Sequence, residues 1–227
     1  MIGFKSGISL LITAGAVLAA ATATAAESGF YIGGNVGTSF YAIDSSDADA
    51  LIFDSFAATG FPTNNVRSSV DKNDTAFSGT LGYRFMRYIA IEGSYVDTGN
   101  ATVSGTGDLF VGPNIVPMNI VAKFGSKGPV VSALGIIPLN AWELYARLGV
   151  YFAKSTFTVR AATAAGSASD SVSANTQELV AGFGAGYNFS EKTALRLDWQ
   201  RLVKVGDVNT TGEGDIGMLT LGFFYRL

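Results

Sequence analysis

From Phe30 to Phe40 the even positions carry Phe30, Ile32, Val36 and Phe40, and the odd ones carry Gly33, Asn35, Gly37 and Ser39. Alternation with period two puts one row on each face of a β-strand. The pattern returns over 75–85, where Phe77, Leu81, Tyr83 and Phe85 oppose Ser78, Thr80, Gly82 and Arg84. Over 88–97, Ile89, Ile91 and Tyr95 oppose Glu92 and Ser94. Over 142–152, Trp142, Leu144, Leu148, Val150 and Phe152 oppose Glu143, Arg147 and Gly149. Over 177–189, Leu179, Phe183, Tyr187 and Phe189 oppose Glu178, Gly182, Gly184, Gly186 and Asn188. Over 193–203, Leu195, Leu197, Trp199 and Val203 oppose Arg196, Asp198 and Gln200. Over 217–227, Leu219, Leu221, Phe223, Tyr225 and Leu227 oppose Thr220, Gly222 and Arg226.

These segments exceed the roughly 5–6 residues of an ordinary strand and reach the roughly 9–11 that cross a bilayer. An eighth strand is expected near 128–138, where Val130, Leu134 and Ile136 share a face. Pro129 cannot donate to a ladder, so that strand is expected to begin at Val130 or to carry a bulge. Connections alternate in length. Long ones are expected near 42–73, 100–127 and 161–175, an intermediate one at 205–214, and short ones at 86–87, 138–141 and 189–192. Bacterial membrane barrels show this asymmetry, with short periplasmic turns and longer external loops. The expectation is an all-β, up-and-down antiparallel transmembrane barrel of eight strands with both termini periplasmic.

The first residues support export. Lys5, an apolar stretch from Ile8 to Ala20 and the small-x-small run Ala23-Thr24-Ala25 read as a signal peptide over 1–26, cleaved after Ala25 or Ala26. The barrel domain is then 27–227, with no stretch of 18 apolar residues to form a transmembrane helix. Loss of Lys5 takes the formal net charge from −3 to −4.

Composition narrows the chemistry. Charged residues are 15% of the chain, against about 25% in soluble proteins. There are 28 Gly, 16 Phe and 9 Tyr, a mixture suited to strands with one greasy and one crowded face. No Cys is present, which excludes disulfides and thiolate metal sites. No His is present either, which removes the usual general base and the commonest transition-metal ligand. Catalytic, cofactor and metal sites are therefore not expected, and nothing basic enough for nucleic acid is seen. Gly182-x-Gly184-x-Gly186 lies within a strand at period two, so it reads as packing positions and not as a phosphate loop, which needs a helix after it.

The last ten residues, Met218 to Leu227, resemble the terminal strand of outer-membrane barrels, with Leu227 where Phe is usual. Gly82-Tyr83-Arg84, Ile91-Glu92-Gly93-Ser94-Tyr95, Ser132-Ala133-Leu134-Gly135, Leu144-Tyr145-Ala146-Arg147-Leu148-Gly149, Gly184-Ala185-Gly186-Tyr187 and Leu195-Arg196-Leu197-Asp198-Trp199 resemble the OmpA-type eight-stranded membrane domain. That resemblance implies a cell outer-membrane location. Many OmpA-type relatives carry a peptidoglycan-binding domain after the barrel; here the sequence stops at the end of the eighth expected strand, so a barrel alone, without a cell-wall tether, is expected. It implies that Phe223, Tyr225 and Leu227 form a C-terminal signal for the barrel-assembly machinery. It also implies a breakable Glu92–Arg196 pair, should the interior conduct. Enzymatic small barrels resemble one another in using a catalytic His, which is absent here, so no enzyme is expected.

The inward rows collect Arg84, Glu92, Glu143, Arg147, Glu178, Arg196, Asp198 and Arg226. An eight-stranded barrel is only wide enough for side chains to fill, so these charges are expected to pair into a structural network. Outward aromatics fall in two belts, Phe30, Trp142, Tyr187, Phe189 and Tyr225 near the turns, and Phe40, Tyr95, Phe152 and Trp199 near the loops. Lys154, Arg160 and Arg201 are candidates for lipopolysaccharide phosphates. The expected partners are outer-membrane lipid and lipopolysaccharide, the barrel-assembly machinery and, in transit, periplasmic chaperones. A monomer is expected. The functional expectation is envelope integrity, with adhesion or recognition through the external loops. A narrow porin-like channel or small hydrophobic solute conduit is the alternative.

Overall fold

The computed structural model describes residues 28–43 and 45–227; the expected signal peptide lies outside them. The strands are β1 (Gly29–Tyr41), β2 (Thr63–Asp71), β3 (Asn73–Met86), β4 (Ile89–Val111), β5 (Asn114–Leu139), β6 (Trp142–Thr163), β7 (Gly166–Asn188), β8 (Thr193–Asp207) and β9 (Gly212–Arg226). One helix, α1 (Ser45–Ala57), precedes β2. No helix among the described residues is long and apolar enough to cross a membrane.

All pairings are antiparallel, and the sheet closes on itself. β1 pairs with β3 on one side and β9 on the other, and neighbours continue through β8, β7, β6, β5 and β4 back to β3. Closure leaves no unpaired edge for lipid to meet, the condition for strands in hydrocarbon. Nine strands appear where eight were expected. The added one, β2, runs in the direction of β3 and pairs with β4 above the β3–β4 ladder, so the ring itself has eight staves.

Exposed apolar side chains cover the outside. On β6 the outward row from Trp142 to Phe152 spans about 25 Å along the membrane normal, at a rise of about 3.3 Å per residue and a tilt of roughly 40°. Both aromatic belts face outward; Tyr187 is the half-buried member. Ring pairs Phe30–Tyr83 and Trp142–Tyr187 lie 4.7 and 4.9 Å apart at the turn end. Pro129 is a correction. It lies inside β5 opposite Tyr95, and its missing donor falls where the β5–β6 ladder lapses, between Lys127 and Val130.

The expected long loops carry structure of their own. Residues 100–127 are the upper halves of β4 and β5, joined by a turn at Gly112-Pro113, and 161–175 are those of β6 and β7. Segment 42–73 contains α1 and β2, and 205–214 narrows to a loop over 208–211. Above Leu179 and Val203 the β7–β8 pairing stops. A five-stranded blade, β2-β4-β5-β6-β7, therefore rises beyond the ring. A bulge at Asp97–Asn100 marks its departure, with Gly99 at φ 67° and the Asp74 carboxylate accepting from the Asn100 amide at 2.7 Å. Helix α1 packs Ile52 and Phe56 onto the inner face of the blade, against Val103, Leu109, Met118, Ile120 and Ala122. Gly105 and Gly107 make room: a Cβ there would lie 2.5 Å from Ile52 and 2.8 Å from Phe56.

Candidate functional site: the charged lumen and the outer blade

The pleat turns every second residue of each strand inward, and the ring is narrow, so inward side chains from opposite walls meet. Six of the eight inward charges are buried: Arg84, Glu92, Glu143, Arg147, Arg196 and Asp198. With three acids and three arginines, this set is neutral.

Glu92 sits at the centre with no exposed surface. Its carboxylate accepts from Arg147 at 2.5 Å, from Arg196 at 2.7 Å and from the Tyr31 hydroxyl at 2.7 Å. Arg147 also reaches Gln200 at 3.2 Å and Asp198 at 3.5 Å. Arg84 pairs with Glu143 at 2.5 Å. The Arg196 guanidinium is walled by three rings, 4.2 Å from Phe224, 5.0 Å from Tyr31 and 5.2 Å from Tyr145. Such contacts gain strength when water is excluded. Gly82, Gly33 and Gly184 face these rings, where a Cβ would lie 2.2 to 2.4 Å from Tyr31, Phe224 and Tyr145 respectively.

Two expected members lie outside this centre. Arg226 is half-buried at the turn end, donating to Asn188 at 3.0 Å and standing 3.9 Å from Glu143. Glu178 shares the inward face of Val180 but is half-buried near the opposite end, and among the described residues it forms no ion pair. Tyr31, Tyr145, Phe224 and Gln200 complete the network. The first three were not singled out in the sequence, although each shares the inward parity of residues that were.

Apolar clusters close the lumen on both sides. Tyr31, Ala90, Leu134, Ile136, Tyr145, Ala194 and Phe224 fill the turn end. Val96, Val130, Tyr151, Val180, Leu202, Ile216 and Met218 are among those filling the other. Beside them runs a hydroxyl chain. Tyr41 bonds the Thr98 hydroxyl at 2.8 Å, Thr98 donates to the Ser126 carbonyl at 2.7 Å, and Ser126 meets Tyr151 at 2.9 Å. An apolar cavity of about 230 Å³ lies above, between α1, the blade and the β8–β9 loop. A second of about 280 Å³, near Arg84, Lys192 and Arg226, opens at the turn end. The two share no lining residue.

The three outward cations separate. Arg201 is engaged with Asp215, whose other oxygen accepts from the Lys204 amide at 2.8 Å. Arg160 lies near the β6–β7 hairpin tip, 3.5 Å from the Ser167 hydroxyl. Lys154 is exposed just above Phe152 and stands opposite Lys127. Phe223, Tyr225 and Leu227 are exposed along the outward row at the end of the chain. Among the described residues no group of acids is arranged to hold a metal ion.

A sequence profile of the OmpA-like transmembrane domain matches residues 25–227. No curated protein matches. Among solved structures, the attachment invasion locus protein Ail of Yersinia pestis is 14% identical, with a TM-score of 0.43, covering 87% of this chain and 98% of that one. The outer membrane protein OprG of Pseudomonas aeruginosa is 12% identical, with a TM-score of 0.45 and coverages of 88% and 97%. The outer membrane protease OmpT of Escherichia coli is 12% identical, with a TM-score of 0.42 and coverages of 91% and 99%.

Proposed function

Because the chain belongs to the OmpA-like transmembrane domain family, and so is a bacterial outer-membrane β-barrel, we propose that it braces the envelope and presents a binding surface outside the cell. In this reading both termini face the periplasm and the blade points outward. Phe223, Tyr225 and Leu227 are what the barrel-assembly machinery reads. No catalysis is assigned.

One observation carries the binding role. Among the described residues the upper half of β7, Gly166–Gln177, pairs with β6 alone, and its other edge presents a row of amides and carbonyls that no strand takes up. Exposed edges are normally blunted by proline or lysine, and this stretch has neither. An edge left open is suited to an added strand from an extended peptide. The channel alternative has less support, since two apolar clusters and a paired charge network occupy the lumen.

The test shortens the β6–β7 hairpin by removing residues 157–172. Adhesion of cells producing the shortened protein to surfaces coated with a library of extended peptides is then compared with that of cells producing the intact chain. Adhesion should fall to background while heat-modifiable mobility, the mark of a folded barrel, is kept. Unchanged adhesion would refute the binding role.

A further inference from the structure

On the outward face of the blade's base, Lys127 of β5 stands directly opposite Lys154 of β6. Both are exposed, and among the described residues neither forms an ion pair. Like charges directly opposite one another repel and weaken a strand pair. Lys123 follows four residues along β5 on the same face, also exposed and opposite Thr158. β4 contributes one carboxylate, Asp97 opposite Lys127, which accepts from the Gly99 amide at 3.0 Å. β7 contributes Asn175 opposite Lys154. β2 adds Asp71, exposed opposite Thr102 in the row of Lys123, so three ammonium groups and two carboxylates share a patch with a surplus of positive charge.

Its height is informative. Two residues below Asp97 and Lys154 on the same face lie Tyr95 and Phe152, the exposed aromatics of the upper belt. At about 3.3 Å per residue the lysines begin about 7 Å along the strand from that belt. This is where lipid headgroups meet a barrel wall. Arg201 is not part of the patch, being taken by Asp215, and Arg160 lies six residues beyond Lys154, about 20 Å further along the strand.

We propose that Lys127, Lys154 and Lys123 bind the phosphate of a phosphorylated lipid in the outer leaflet. An anion between Lys127 and Lys154 turns a repulsive cross-strand pair into two charge-assisted contacts. Lysine suits this as a flexible point charge with three donors. The assignment rests on the blade pointing outward and is independent of the edge of β7.

The test uses the purified barrel in a nonionic detergent, titrated with bisphosphorylated lipid A, with the same lipid dephosphorylated, and with inorganic phosphate. The readout is the temperature at which heat-modifiable mobility is lost. Lipid A should raise it, and the other two should not. Lys127→Gln/Lys154→Gln should weaken the lipid A response roughly tenfold or more. In the absence of lipid the same variant should melt no lower than the wild type, because repulsion has been removed. Lys127→Arg/Lys154→Arg should keep the response. An equal shift with dephosphorylated lipid, an undiminished shift in the glutamine variant, or full reproduction by inorganic phosphate would each overturn the proposal. The adhesion assay on β7 reads none of these quantities, so the two readings fail separately.

Discussion

Replacing Glu92 by Gln keeps the shape of the side chain and removes the charge that Arg147 and Arg196 share. The two guanidiniums remain buried, with Asp198 at 3.5 Å from Arg147 and Glu143 at 3.9 Å from Arg196 as their remaining acids. The new amide accepts at one oxygen only and turns its NH2 toward a cation. Removing one partner of a buried pair costs about 3–5 kcal/mol. With a urea dependence of roughly 2 kcal/mol/M, the unfolding midpoint should fall by about 2 M. Trp142 and Trp199 both face outward and report the transition by fluorescence in micelles. Glu92→Gln/Arg196→Gln should cost clearly less than the two single changes summed, because the orphaned charge leaves with its partner; a coupling of about 1–3 kcal/mol is expected. A cost below about 1 kcal/mol for Glu92→Gln, or plain additivity, would refute the bracing role. Discrete conductance in a planar bilayer appearing with stability intact would move the pair from brace to gate.

Three further outcomes test the architecture. Gly37→Ala should abolish the heat-modifiable band, since a Cβ would meet the Leu219 carbonyl oxygen at 2.0 Å across the β1–β9 seam, whereas Gly79→Ala, with open space around it, should fold like the wild type. Phe56→Ala should cost the blade about 3 kcal/mol of local packing and expose 42–62 to limited proteolysis, with the band of the folded ring retained. Arg201→Ala breaks an exposed pair with Asp215 and should change stability by less than about 1 kcal/mol, an effect that disappears in high salt.

The ring was legible in the sequence because lipid imposes a strict rule on it. Every outward residue must be apolar, so Trp142, Leu144, Leu148, Val150 and Phe152 spell out the pleat. Outside the membrane that rule lapses. From Ser167 to Thr176 one row is Ser and Asn and the other mixes Ala168, Val172 and Ala174 with Asp170 and Thr176, an alternation too small and too polar to distinguish a long hairpin from a mobile loop. The helix was hidden for a related reason. Its acidic, Ser- and Ala-rich stretch reads as solvated, and Ile52 and Phe56, four residues apart, are the two side chains it buries fully against the blade, with Leu51 packed beside them. In the lumen, parity identified the charged residues but not their partners. Which strand heights meet depends on the stagger of the ring, and this brings Glu92 to Arg196, 104 residues away, and leaves Glu178 apart.

The seam between β1 and β9 runs from Tyr31 opposite Arg226 to Tyr41 opposite Ile216. β1, the first strand of the ring, thus waits for β9, the last, before its outer edge is satisfied. A product cut short by even one strand would carry two raw borders of peptide dipoles into oil, where nothing else can quench them. Completeness is thereby inspected by the solvent itself: an unfinished polypeptide cannot settle into the bilayer, and is left in the open for proteases to clear.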